Sequence, residues 1–231
     1  MANYKLYLVG FFILSPLAIL VNKESEAMFW ILGILGATSL VLAFVDYNQK
    51  DKKEKIHLAK EFLSVLSQND FVPKQHFLSQ DCKNGIALNK TEDKIAFLYK
   101  KEKLLTYDIY ILDTEMLVEV EVNKDGETVT RTSKGGVIGG AAVGGLIGGG
   151  IGAIIGGLSG NKSSNERIKV LKLRIVVEDI HEPMHSILFL NELYPIEKHD
   201  PRYKEAIDKI DRWYGIAKVL MKIQENNRKS M

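Results

Sequence analysis

Charged residues vanish from three stretches of the chain, residues 6–21, 28–45 and 135–160, while most of the rest is dense in Lys and Glu. The first stretch reads LYLVGFFILSPLAILV and the second MFWILGILGATSLVLAFV. Each is near the length that crosses a hydrocarbon core as a helix, the first on the short side. Pro16 interrupts the first, and helix–helix contacts in a bilayer tolerate such a break. Only residues 22–27 separate the two, so the helices are expected to lie antiparallel, with Gly33 and Gly36 as small positions that permit close approach. A cleaved secretory leader is not expected. The n-region carries only Lys5 and the amino terminus, no A-x-A site follows, and a second span comes at once.

Orientation follows from basic residues. The short loop has Lys23 against Glu24 and Glu26, whereas Lys50, Lys52, Lys53 and Lys55 follow the second stretch. The positive-inside bias puts these lysines, and everything after them, in the cytoplasm, with the N-terminus on the same side. The same four lysines would lie beside anionic headgroups.

Beyond residue 46 the apolar period changes. Ile56, Ala59, Phe62, Leu63 and Leu66 share one helical face, so the second helix should continue to about residue 67 and use this stripe for packing. Short strand signals follow. Asn84-Gly85 reads as a turn, 86–89 and 94–100 as strands around a polar 90–93, with Ile95, Phe97 and Tyr99 on one side. Residues 116–122 alternate, Val118, Val120 and Val122 on one face and Leu117, Glu119 and Glu121 on the other. Asn123-Lys124-Asp125-Gly126 predicts a tight primed hairpin turn, with 128–132 returning. Residues 168–177 form another strand whose apolar parity slips between Val170 and Leu171, which implies a bulge. Residues 186–190 give the last strand. Asp200 as N-cap and Pro201 at the first helical position start a closing helix. Tyr203, Ile207, Ile210, Trp213, Tyr214, Ala217 and Leu220 line its apolar face.

The third uncharged stretch is GGVIGGAAVGGLIGGGIGAIIGGLSG, holding thirteen of the nineteen glycines. Gly136, Gly140, Gly144, Gly148, Gly152, Gly156 and Gly160 recur every fourth residue, which on a helix makes a groove without side chains. This is the small-xxx-small pattern of helices packed in a membrane. Each glycine costs a helix in water about 1 kcal/mol relative to alanine, whereas lipid makes helix nearly obligatory. No Gly-Lys-Ser/Thr occurs, so a phosphate loop is not implied. The strands before and after the insert are expected in one sheet, hence on one side of the membrane. The insert is therefore expected to double back near residues 148–150, as a helical hairpin that is re-entrant, oligomeric or packed against the anchor.

Composition narrows the function by exclusion. A net charge of +2 on 231 residues gives no basic footprint for nucleic acid. Cys82 is the lone cysteine, so no internal disulfide forms. His181 and His185 are four apart, but Pro183 between them argues against a helical metal pair and for a turn. Glu119 and Glu121 read as a solvated strand face, and Asp108 and Asp113 have no evident partner. No nucleophile with a base, and no metal-ligand set, falls at usable spacing, so neither an enzyme nor a cofactor is expected.

Antiparallel strands closed by one amphipathic helix, over roughly residues 76–226, resemble the pleckstrin-homology-like domains of bacterial membrane proteins. Gly85-Ile86-Ala87-Leu88, Lys94-Ile95-Ala96-Phe97-Leu98 and the glycine-rich stretch look like small bacterial and prophage-borne proteins that carry such an insert. The organisation expected is an α+β chain: a transmembrane hairpin at 1–46, a basic amphipathic linker helix at 47–75, and a cytoplasmic barrel or sandwich at 76–231 with the glycine-zipper hairpin inserted at 135–160. The apolar runs imply a multi-pass protein of the bacterial cytoplasmic membrane, and the resemblance implies that it acts as a binding or scaffolding module. Its expected partners are the bilayer, further copies of itself and an unidentified protein. The alternative is a membrane-perturbing effector of the toxin or phage-defence type, whose glycine hairpins assemble into a leak.

Overall fold

The computed structural model describes residues 4–21, 26–134 and 167–229. The chain divides into two compact units, Met1–Leu58 and Ala59–Met231.

In the first unit, helix α1 (Tyr4–Val21) stays helical through Pro16, and α2 (Glu26–Gln68) begins after the short connection. The two helices touch through small residues. A Cβ placed on Gly10 would lie 2.8 Å from Ser39 Oγ, and one on Gly36 would lie 3.2 Å from Ser15 Oγ. The Ser39 hydroxyl donates to the Tyr7 carbonyl on the facing helix. Gly36 thus serves the close approach as expected. Gly33 does not, since no atom lies within 4 Å of its added Cβ. Phe12, Trp30 and Phe44 are each 65% or more exposed, apolar area that water would not tolerate in such density. Among the described residues one helix, Trp30–Gln68, is long and apolar enough to cross a membrane, while α1 contributes the shorter apolar stretch Lys5–Leu17.

In the second unit the last turns of α2, residues 59–68, cover one face of an antiparallel sheet of order β1-β2-β3-β4, made of β1 (Pro73–Leu78), β2 (Asn84–Asn89), β3 (Lys94–Lys100) and β4 (Tyr107–Asp113). The helix buries Phe62, Val65 and Leu66, whereas Ala59 and Leu63 of the expected stripe face outward. Phe62 sits edge-on to Tyr107 with centroids 5.9 Å apart, and Thr106 donates to Glu61 at 2.9 Å. Asn84-Gly85 is not a turn. It opens β2, pairing with Tyr99 and Leu98 of β3, and the real turn precedes it. Gly85 is there because Phe62 packs over it: an added Cβ would meet Phe62 Cε2 at 2.5 Å and the Phe77 carbonyl at 2.8 Å. Strands β1 and β4 lack clean alternation and were not expected.

A short 3-10 turn (Thr114–Met116) leads to the second antiparallel sheet, of order β6-β5-β7-β8, with β5 (Leu117–Lys124), β6 (Glu127–Ser133), β7 (Arg167–Val177) and β8 (Met184–Glu197). Asp125 and Gly126 adopt positive φ, 50° and 99°, as a primed turn requires. In β7 the pairing with β8 slips between Ile168 and Val170 and again between Leu171 and Lys172, so the strand is irregular on either side of the expected step from Val170 to Leu171, which itself keeps register. A further slip, in β5 between Leu117 and Glu119, was not legible. It turns Leu117 into the core beside Val120 and Val122 and leaves Val118 half-buried.

Helix α3 (Pro201–Lys229) packs on the second sheet. Asp200 caps it, accepting the Arg202 amide at 2.8 Å, and all seven residues of the expected stripe are buried. The sheets face each other through the core, where Phe77 stacks on Phe189 at 4.1 Å. They remain two sheets and do not close into a barrel.

Candidate functional site

The seven zipper glycines, Gly136, Gly140, Gly144, Gly148, Gly152, Gly156 and Gly160, lie outside the described residues, as does the expected turn at 148–150. What the structure defines is the place where this segment leaves and rejoins the domain. β6 and β7 both pair antiparallel with β5, which lies between them, so they run parallel to each other. The strands flanking the insert therefore do belong to one sheet.

The two roots lie at opposite ends of that sheet. Ser133 at the end of β6 is opposite Glu119, whereas Leu171 of β7 is opposite Lys124 and Arg167 begins four residues further out. At about 3.3 Å per residue the roots are roughly 30 Å apart along the strands. The departure root is tightly held. Lys134 donates to the Glu115 carbonyl, and its side chain, 12% exposed, lies 3.9 Å from Glu178. Burial pushes the Lys134 ammonium below its ordinary pKa, Glu178 opposing and Arg228 adding to the effect. At the return root, Asp125 Oδ1 accepts the amides of Lys169 and Val170 at 3.0 and 2.7 Å, and Arg167 pairs with Glu197 at 3.1 Å. The bulged start of β7 thereby gains the amide partners that irregular pairing would deny it.

Lys50, Lys52, Lys53 and Lys55 stand exposed on α2 directly after its apolar run, with Lys55 bridged to Asp51 at 2.9 Å. Such an i,i+4 pair is a weak surface contact and leaves the segment basic.

The other candidate residues do not converge. His181 is exposed in the β7–β8 turn while His185 is buried in β8. Among the described residues no group of three or more His, Cys, Asp or Glu is placed to hold a metal. Asp108 has a partner after all, Lys101 at 3.0 Å. Cys82 is buried in the turn before β2, its carbonyl accepting the Tyr107 hydroxyl at 2.8 Å.

Glu121 is the clearest departure from expectation. Rather than a solvated residue it is 2% exposed. Its carboxylate takes Arg131 from β6 at 2.9 Å and Arg174 from β7 at 2.5 Å, while Glu119 meets Arg131 at 3.4 Å. The registers Glu121↔Arg131 and Glu121↔Arg174 line the three up across adjacent strands. Alternation along β5 alone could not reveal this, because both arginines come from strands on either side of the insert.

A family model described as "Glycine zipper containing PH domain" matches residues 75–191. The chain is 32% identical over 229 residues to the SPbeta prophage-derived uncharacterized membrane protein YomJ of Bacillus subtilis (strain 168), covering 95% of this chain and 96% of that protein. It is likewise 32% identical over 191 residues to a protein of Bacillus phage SPbeta named "Immunity protein", covering 79% of this chain and 91% of the relative. No solved structure matches.

Proposed function

The chain belongs to the family of glycine zipper containing PH domains, and from that premise we propose that it is a membrane-anchored, non-enzymatic scaffold that self-associates through its glycine segment. The observation that carries this reading is the insert itself: 26 uncharged residues, half of them glycine, rooted at both ends in one sheet of the PH-like domain. Both roots are on the same side of the membrane, so the segment enters and leaves from that side. Its four-residue glycine spacing favours helix contact between copies, where backbone approach replaces side-chain interlock. The anchor is a hairpin of α1 and α2 with both termini cytoplasmic, in keeping with the lysines after the second apolar run. The PH-like domain offers its surface to a protein partner, and nucleic acid is not among the partners.

The test is the size of the protein extracted from membranes in mild detergent. Wild type should run as an oligomer, and Gly144→Leu and Gly148→Leu should shift it to smaller species. Wild-type size in both variants would remove the glycine segment as the contact.

The uncharged glycine segment beside an existing anchor favours a second reading, in which the segment inserts and perturbs the membrane. A single Cys at position 149 in a Cys82→Ser background separates the two. Labelling of intact cells by an impermeant thiol reagent supports a crossing, leak-forming segment, whereas labelling only after lysis without detergent supports the scaffold.

A further inference from the structure

His185 sits where the two sheets meet, and it is wholly buried. Its ring lies flat on Phe97 of β3, centroids 4.1 Å apart and planes within 1°. Its Nδ1 is 3.2 Å from the Tyr99 hydroxyl, and that same hydroxyl accepts the backbone amide of Ser186 at 3.2 Å. An amide can only donate, so the Tyr99 oxygen is the acceptor there. A phenolic proton given to Nδ1 completes this chain, and it goes with the neutral imidazole tautomer that carries its proton on Nε2. Nε2 is buried and has no partner among the described residues.

This chain of bonds has a structural task. β8 is an edge strand of the second sheet, and Ser186 and Leu188 point their amides away from β7. Tyr99 from β3 caps the first and Asn84 from β2, at 2.8 Å, caps the second. These side chains of the first sheet thus satisfy the open edge of the second. We propose that Ser186, Tyr99 and His185 form an acid-sensitive clasp between the two sheets: proton uptake at Nδ1 sets two donors, the ring N–H and the phenol, against each other and loosens β8 from β3.

The surroundings support this. Phe97 and Tyr99 face the ring from β3 and Tyr110 from β4, the last at 5.5 Å between centroids. Asp179 and Glu182 in the β7–β8 turn are the charged groups that act on it. Burial pushes the His185 pKa below its ordinary value, and those two carboxylates oppose the shift without reversing it. The sign follows. Above about pH 6.5 the imidazole is neutral in both folded and unfolded chains, and its contribution is constant. Below that pH the unfolded chain takes a proton that the folded one refuses, so stability falls as pH falls, by up to about tenfold in the folding equilibrium per unit.

The experiment is urea unfolding of the full chain in detergent micelles between pH 7.5 and 5, followed by tryptophan fluorescence, for wild type and His185→Phe. Phenylalanine keeps the stack on Phe97 and removes the titration. The wild-type equilibrium should fall more steeply than that of the variant between pH 6.5 and 5. Equal pH slopes in the two proteins would overturn the clasp. Should His185→Phe not fold, carbon-13 spectra of the wild-type imidazoles decide. Persistence of the Nε2–H tautomer below pH 6, with loss of the Ser186 amide signal only once it titrates, upholds the proposal. Titration near pH 6.5 with the Ser186 amide unchanged refutes it.

Discussion

Gly85→Ala should destabilise the domain, because the space for one methyl group is already taken twice. The added carbon would fall 2.5 Å from Phe62 Cε2 and 2.8 Å from the Phe77 carbonyl oxygen, both inside van der Waals contact. Neither neighbour yields easily. Phe62 is 1% exposed and wedged between Tyr107 and His76, and the Phe77 carbonyl belongs to β1, whose register with β2 is set on both sides of it. Overpacking of this kind costs about 1–3 kcal/mol. Removing a glycine from a strand interior returns about 0.5–1 kcal/mol of backbone entropy. The net loss is about 0.5–2 kcal/mol, or roughly 1–8 °C in Tm for a domain of this size. The assay is urea and thermal unfolding of the full chain in detergent, for Gly85→Ala, Phe62→Leu and the double variant. Trimming Phe62 relieves one of the two clashes, so the double variant should be more stable than the summed single losses by about 1 kcal/mol. A Gly85→Ala midpoint equal to wild type, or strict additivity with Phe62→Leu, would refute the close-approach reading and restore that of a turn glycine.

Three further expectations follow from the same geometry. Glu121→Gln should lower stability in urea by about 1–3 kcal/mol, because the buried charge and one of the two oxygens that hold the arginines are lost, whereas Glu119→Gln, half-buried and 3.4 Å from Arg131 alone, should stay within about 0.5 kcal/mol; equal effects would contradict the burial of Glu121. Gly36→Leu should separate α1 from α2 and abolish a disulfide engineered between them near Gly10 and Ser39, while Gly33→Leu should leave it intact, since only Gly36 faces the partner helix. A fluorescent-protein fusion to the C-terminus should fluoresce in wild-type cells, and changing Lys50, Lys52, Lys53 and Lys55 together to Gln should move a fraction of molecules to the opposite orientation, detected with an alkaline phosphatase fusion; phosphatase activity in the unmodified protein would reverse the assigned topology.

Several features were legible in the residues alone because their causes are local. The apolar runs before residue 46 announce two apolar helices, since hydropathy depends only on composition within a window. The Asp125-Gly126 hairpin, the Asp200 cap with Pro201, the seven-residue stripe of α3 and the irregularity of β7 are all read from neighbours within a few positions.

Tertiary structure decided what depends on residues far apart in sequence. Gly85 looked like a turn because glycine has two uses, conformational freedom and absence of volume, and only the placement of Phe62 over β2 distinguishes them. Glu121 looked solvated because its two arginines arrive from β6 and from β7, on either side of the insert. His185 looked like part of a turn, and the stack on Phe97 and the bond from Tyr99 come from another sheet. The parallel course of β6 and β7, which sets the roots of the glycine segment roughly 30 Å apart, arises from β5 inserting between them. Strand order is a choice among pairings of similar local propensity, and burial of the joint core makes that choice.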